Sequence, residues 1–162
     1  MSRTTMIETA TVMLLLGIIG QPTALAADND PIKVDLQIFK FKVRPEIADL
    51  LGYDDNEQRL FYYAAGAAEA TVKLPADGEY EIVVRASCDP ALNVRAKFKV
   101  TLDDQPVGME TLLTDDDQKD YTLNFGAKAG ERNLVIEFTN DIYKENEYDR
   151  NLFVYGVTIK KK

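Results

Sequence analysis

A strict alternation of apolar and polar residues is the feature that most constrains the fold of this chain. In "GEYEIVVRAS", residues 78–87, every second residue from Tyr80 to Ala86 is apolar, whereas Glu81 and Arg85 occupy the opposite face. A period of two places alternate side chains on opposite faces of a β-strand. One apolar face and one polar face are typical of an antiparallel sheet that covers a core on one side.

The same alternation recurs along the chain, with turn residues between the segments. It is seen in "AKFKVTLDD", "KDYTLNFGA" and "RNLVIEFTN", while "NLFVYGVTIK" is a more continuous apolar run, and "PIKVDLQIFKFKV" and "EATVKLP" also read as extended. The intervening turn signals are "PADG", "LDDQPVG" and "AKAGERN". Residues 45–51 form the one plausible helical turn, and "YDDNEQR" after it reads as a solvated loop. Strands at this spacing predict an all-β, antiparallel β-sandwich or barrel.

The first residues predict an export signal. An apolar run, residues 11–20, precedes Ala24-Leu25-Ala26, which fits the small-residue cleavage pattern before Ala27. The run is shorter than the roughly 20 residues that a membrane-spanning helix requires. We therefore expect a signal peptide over residues 1–26, a single domain over residues 27–162, and a secreted or periplasmic location. The alternative is a buried N-terminal helix.

Charge and composition exclude several classes of function. The formal net charge is −8, and an acidic domain is a poor partner for nucleic acid or anionic lipid. The sequence contains no histidine, which excludes Ser-His-Asp, Cys-His and histidine-based zinc sites. The single cysteine, Cys88, allows no internal disulfide, and its place at the end of an apolar strand predicts a small buried residue.

One short segment concentrates the acids. "NDIYKENEYDRNL", residues 140–152, holds four carboxylates against Lys144 and Arg150, between two apolar runs. Because the chain doubles back here, Asp141 and Asp149 can converge, and oxygen ligands without His or Cys favour Ca²⁺ or Mg²⁺. The alternatives are an ordinary solvated loop, an Asx-turn at Asp141, or a surface ion pair between Asp149 and Arg150.

Four segments in order carry a resemblance to a known family: "ADGEYEIVVRAS", "KFKVTLDDQPVG", "KAGERNLVIEFTNDIY" and "YDRNLFVYGVTI". They resemble the calcium-dependent xylan-binding carbohydrate-binding modules, which are β-sandwiches of the jelly-roll, galactose-binding-like kind. The most specific part is Phe138, Asn140 and Asp141 together with "DRNL", residues 149–152. The resemblance implies a jelly-roll fold and a Ca²⁺ cofactor. It also implies xylan or another β-glycan as ligand, and it leaves room for a larger exported protein as partner.

The resemblance also implies a binding mechanism. A Ca²⁺ ion would be held in the loop before the last strand by Asp141, Asp149 and a backbone oxygen of Tyr148, and two adjacent sugar hydroxyls would complete its coordination. The candidate sugar contacts are Tyr143, Arg150 and Asn151. Arg150 could instead order the two carboxylates from behind, Asn151 could cap the turn into the last strand, and Tyr143 could be an ordinary amphipathic loop residue.

Three functions remain for comparison. The first is an exported, non-catalytic, Ca²⁺-dependent glycan-binding protein. The second is a structural or protein-interaction β-sandwich module without glycan binding, which the absence of tryptophan favours. The third is a hydrolase that uses a pair of carboxylates, and its only support is the number of acids.

Overall fold

The computed structural model describes residues 30–162, so the predicted signal peptide and its cleavage site lie outside the described residues. Within this range the chain is almost entirely β-structure, with two short 3-10 helices, Leu36–Ile38 and Pro45–Leu50. The strands are β1 Ile32–Val34, β2 Lys40–Lys42, β3 Leu51–Asp54, β4 Arg59–Tyr62, β5 Gly66–Leu74, β6 Gly78–Asp89, β7 Lys97–Leu102, β8 Gln105–Pro106, β9 Thr111–Leu112, β10 Lys119–Ala127, β11 Gly130–Phe138, β12 Tyr143–Lys144, β13 Tyr148–Asp149 and β14 Asn151–Lys161.

Two six-stranded sheets form the sandwich. The first has the order β10-β6-β14-β4-β3, with β1 also paired to β14. The second has the order β2-β5-β11-β7-β8, with β9 also paired to β7. All of these pairings are antiparallel, as the alternation predicts. The all-β antiparallel sandwich is therefore confirmed.

The core lies between the two sheets and is built from the alternating apolar faces. Tyr80 and Ile82 of β6 and Ile136 of β11 are fully buried. Aromatic rings cross the interface: Phe98 of the second sheet meets Tyr121 of the first edge-to-face, with ring centroids 5.9 Å apart. The hydroxyl of Tyr62 in β4 donates a hydrogen bond of 3.3 Å to the carbonyl of Ile136. Edge-to-face ring pairs and satisfied buried hydroxyls are what a close-packed interior requires.

A β-bulge explains why the last strand looks continuously apolar. The register of β14 against β6 shifts between Val154 and Gly156. Val154 before the bulge and Val157 after it are therefore both buried, although they are three residues apart. On the outer face, Phe153 is also buried, because the guanidinium of Arg59 lies 4.0 Å from its ring centroid. A bulge adds one residue to one strand and so changes the phase of the alternation.

The 45–51 segment is helical as predicted, in 3-10 form over Pro45–Leu50. The "YDDNEQR" segment is more ordered than predicted: β3 and β4 extend into it from both sides and leave only a tight turn over residues 55–58. The 31–43 segment is not one extended run, because a 3-10 turn capped by the Asp35 side chain separates β1 from β2. Cys88 is buried and unpaired, as expected, and burial raises the pKa of its thiol.

Candidate functional site

The acidic loop between β11 and β14 is anchored at its start by Asn140. The side-chain oxygen of Asn140 accepts a hydrogen bond from the backbone N–H of Lys97 (2.6 Å), and its amide donates one to the carbonyl of Arg95 (2.9 Å). An Asn side chain can satisfy two backbone groups at once because it carries both a donor and an acceptor. This residue therefore fixes the path of the chain where it enters Asp141.

Within the loop, a two-stranded hairpin brings the two predicted ligands together. In the pairing of β12 with β13, Tyr143 lies opposite Asp149. The backbone N–H of Arg150 donates a hydrogen bond of 3.0 Å to the carbonyl of Ile142, next to Asp141. Asp141 and Asp149 thus lie on adjacent paired segments, as the doubling back of the chain predicts.

Arg150 is buried, and its guanidinium is directed at backbone rather than at carboxylates. It donates to the carbonyls of Val94 (2.8 Å), Asn140 and Ala91 (2.7 Å). It makes no ion pair with Asp149 within residues 30–162. Its hydrogen bonds tie the 91–94 loop to the acidic loop, so Arg150 positions the site from behind.

Three side-chain oxygens at the site are buried without a partner. They are Oδ1 of Asp141, Oδ1 of Asp149 and Oδ1 of Asn151. Within residues 30–162 only one other buried side-chain polar atom, Nε of Arg59, lacks a hydrogen bond. Burying an acceptor without a donor costs free energy, so such atoms are normally satisfied. Three of them in one place indicate an electropositive group that the chain itself does not supply.

Asn151 connects the site to the neighbouring strand. Its Nδ2 donates to Oδ2 of Asp149 (3.2 Å) and to Oδ2 of Asp89 (3.1 Å), the residue opposite it in the register of β14 and β6. Because the amide nitrogen donates to two carboxylates, the side chain is fixed in one orientation. Its amide oxygen has no hydrogen-bond donor. Asn151 Oδ1 is thus a third unpartnered oxygen, on a residue that is hydrogen-bonded to Asp149.

The electrostatics of Asp141 favour the binding of a cation. Its pKa is raised above the ordinary value, chiefly because burial disfavours the charged form. The neighbouring charge of Asp149 raises the pKa further, whereas the backbone N–H of Ala65 and the Arg150 guanidinium oppose the shift. Two carboxylates that repel each other in a partly dry site would both be stabilised by a divalent cation.

An open cavity of about 750 Å³ adjoins these oxygens. Besides Asp141, Asp149 and Asn151, it is lined by residues of three segments: Arg44, Ile47 and Leu50 at the 3-10 helix, Tyr63, Ala64 and Ala65 after β4, and Tyr143 of β12. Tyr63 and Tyr143 are 38% and 64% exposed, so each presents part of its surface to a ligand. A concave, partly apolar site with a few convergent polar groups is typical of small-molecule recognition.

The predicted residues therefore divide into two groups. Asp141, Asp149, Asn151 and Tyr143 line one cavity, whereas Arg150 and Tyr148 are not part of its wall. Tyr148 lies half-buried in β13, directly before Asp149. Tyr63, Arg44 and Asp89 were not predicted from the sequence. Asp89 lies opposite Asn151 in the register of β14 with β6, and Tyr63 directly follows β4, which also pairs with β14, so no linear pattern links them to the acidic loop.

The residues fit a hard, oxygen-seeking cation. No cluster of three His, Cys, Asp or Glu side chains suited to a metal occurs in residues 30–162. The donor set here is two carboxylates and one amide oxygen, and each has a buried, unpartnered oxygen. Ca²⁺ accepts carboxylate and Asn carbonyl ligands in irregular loops and keeps further positions open, whereas Mg²⁺ demands a stricter octahedron.

The fold is shared with solved carbohydrate-binding modules. One similar structure is the CBM36-1 domain of a multidomain xylanase from the hindgut metagenome of Trinervitermes trinervoides, with TM-score 0.59 and 12% identity over 82% of this chain and 98% of that one. A second is a CBM36 module in complex with calcium and xylotriose, with TM-score 0.54 and 14% identity over 82% and 99%. A third is a family 35 carbohydrate-binding module from Clostridium thermocellum, with TM-score 0.54 and 12% identity over 82% and 99%.

At 12–14% identity, these structural similarities show the jelly-roll fold alone. No curated protein matches the sequence significantly. No helix within residues 30–162 has the length and apolarity needed to cross a bilayer.

The sequence itself identifies the family. The family CBM60, described as a Ca-dependent carbohydrate-binding module, xylan-binding, matches residues 81–162, half of the chain. The matched range runs from β6 to the end of β14 and includes the whole acidic loop. The chain therefore belongs to the Ca-dependent, xylan-binding carbohydrate-binding modules.

Proposed function

We propose that this protein binds xylan-type β-glycans, without catalysis, through a Ca²⁺ ion held by Asp141, Asp149 and Asn151. The observation that carries the proposal is the trio of buried, unpartnered oxygens, all three on residues that line one open cavity. When bound, Ca²⁺ would offer open coordination positions to two adjacent sugar hydroxyls. The backbone oxygen of Tyr148, directly before Asp149, is a further candidate ligand.

The chain's own residues would hold and orient this site. The Asn151 side chain is held in place because its nitrogen is engaged by Asp89 and Asp149, and its oxygen is left without a partner. Arg150 holds the loop in place through backbone carbonyls, and we assign it this positioning role in place of direct sugar contact. Tyr143, with Tyr63 on the same cavity, would present a ring face to the sugar.

Family membership extends the proposal to location and partners. Carbohydrate-binding modules act where polysaccharides are, so we propose that the chain is exported, with residues 1–26 as its signal. We also propose that the chain works attached to, or beside, a larger exported protein. One Ca²⁺-dependent site binds weakly alone, and linking it to a second binding site raises the overall avidity without new contacts.

The decisive experiment is calorimetric titration of Ca²⁺ into chelator-treated protein, residues 27–162. We expect one site with a Kd of roughly 10⁻⁴–10⁻³ M, as in other extracellular Ca²⁺ modules. Asp141→Ala should abolish the binding. Asp117→Ala is the matched control, since it removes one exposed carboxylate from a different acidic loop.

Glycan binding is then tested with xylo-oligosaccharides at saturating Ca²⁺ and with chelator. Binding that requires both Ca²⁺ and Asp149 supports the proposal. If Ca²⁺ binds but no glycan does, the protein is a structural or interaction module with an ion. If Asp141→Ala and Asp117→Ala bind Ca²⁺ equally well, the ion site has been assigned to the wrong residues.

A further inference from the structure

Arg44 occupies an unusual position on the wall of the proposed glycan site. It directly precedes Pro45 and the 3-10 helix, and it is the one cationic side chain among the residues that line the cavity. It is solvent-exposed, and its side chain makes no capping hydrogen bond to the helix. Glu46 and Asp49 of the same helix are exposed but do not line the cavity.

Arg44 also differs from every other arginine in residues 30–162. Each of the other five engages a partner with its guanidinium: Arg59 with Tyr155, Arg85 with Asp120, Arg95 with Asp116, Arg132 with Asp103, and Arg150 with three backbone carbonyls. Arg44 makes neither a side-chain hydrogen bond nor an ion pair within the described residues. Arg44 lines the cavity and its exposed guanidinium has no partner in the described residues, so it is available to a ligand.

The charge balance of the cavity indicates which kind of ligand this is. Asp141 and Asp149 contribute two negative charges, which a bound Ca²⁺ ion would neutralise. Among the residues that line the cavity, Arg44 would then be the one whose charge has no counterpart. A neutral sugar diol coordinated to the ion adds no charge, so it would leave that imbalance in place.

We propose, on the basis of the function proposed above, that Arg44 makes this site selective for acidic glycans, namely β-glycans that carry a uronate carboxylate. The planar guanidinium matches a carboxylate with two parallel hydrogen bonds, which a lysine or a neutral donor does not reproduce. Asp141, Asp149 and Asn151 would hold the ion that binds the sugar hydroxyls, and Arg44 would bind the carboxylate of a substituent on the same chain of sugars.

The test compares two ligands that differ only in charge. One is a xylo-oligosaccharide with a single glucuronate branch, and the other carries the same branch with its carboxylate reduced to a primary alcohol. Affinities are measured by calorimetry at saturating Ca²⁺, and the readout is the ratio of the two affinities. We expect about a fivefold preference for the uronate, the upper end for an exposed ion pair.

Arg44→Gln should bring this ratio to about one. Lys73→Gln is the matched control, because it removes one positive charge from an exposed position in β5 and should keep the preference. The wild-type preference should also shrink as salt is raised, since exposed charges are screened.

The outcomes separate this proposal from the one on which it rests. A wild-type protein that binds the two ligands equally overturns the selectivity and leaves glycan binding standing. A preference that survives in Arg44→Gln overturns it too, because the uronate would then bind the ion directly. If the wild-type protein binds neither ligand, the glycan-binding function itself is wrong.

Discussion

Arg150 is the side chain for which the sequence left the most alternatives open. Next to Asp149, an arginine can be an ion-pair partner, a sugar contact, or a residue that orders the two carboxylates from behind. The structure shows it buried, with three backbone carbonyls as acceptors. Those carbonyls belong to residues that are distant in sequence or in an adjacent turn, so no local pattern could have identified them.

Arg150→Met tests this positioning role. The methionine keeps an apolar stem but leaves the carbonyls of Ala91, Val94 and Asn140 without their donor. We expect the free energy of unfolding to fall by about 2–4 kcal/mol, since several buried acceptors lose a charged donor. Denaturant unfolding measures the change. Arg95→Met, which breaks an exposed ion pair with Asp116, should cost about 1 kcal/mol or less, and equal losses in the two variants would contradict the assignment.

The β12–β13 hairpin depends on the conformation of a single turn residue. Asn146 has a φ of 60°, and the turn is closed by a 3.0 Å hydrogen bond from the N–H of Glu147 to the carbonyl of Lys144. Asparagine and glycine tolerate this left-handed conformation, whereas other residues are strained there. The hairpin carries Tyr143 and Asp149, so its turn bears directly on the site.

Two substitutions at this turn should differ in their effect on stability. Asn146→Gly should retain stability and Ca²⁺ affinity, while Asn146→Ala should lower the free energy of unfolding by about 1 kcal/mol through strain at positive φ. The residue is exposed, so loss of side-chain packing does not contribute to the difference between the two variants. Thermal unfolding of both variants, with and without Ca²⁺, measures the effect; alanine and glycine variants of equal stability would show that the turn is not under this constraint.

The strands that bury one face could be predicted from the alternation of apolar and polar residues. Strands in which a turn or a bulge interrupts that alternation could not. The alternation in β6, β7, β10 and β11 corresponds to strands with one buried face. The hairpin of β3 and β4 was missed because polar residues dominate the segment and only its ends face the core. In β14 the bulge shifts the alternation by one residue, so the sequence looks like one continuous apolar run.

The stability of the whole domain should depend on the ion. Three buried oxygens without partners weaken the ion-free fold, and a cation that binds only the folded state shifts the unfolding equilibrium by mass action. At a Ca²⁺ concentration 100 times the Kd, the gain is about 2.7 kcal/mol. Chemical unfolding of the wild-type protein with Ca²⁺ and with chelator measures it. Asp141→Ala should show no gain, and an equal gain with Mg²⁺ would contradict the choice of ion.

By itself, the sequence determined the fold class and the segment that carries the ligands. The alternation of apolar and polar residues depends only on which side chains a strand buries, so it is visible in the sequence. The lack of histidine and the density of acids in one loop leave only oxygen-binding metals to consider. Only the tertiary structure decided which oxygens converge, that Arg150 turns away from them, and that Tyr63 and Arg44 share their cavity. Those facts follow from strand register and from packing between segments distant in sequence, and neither leaves a local pattern along the chain.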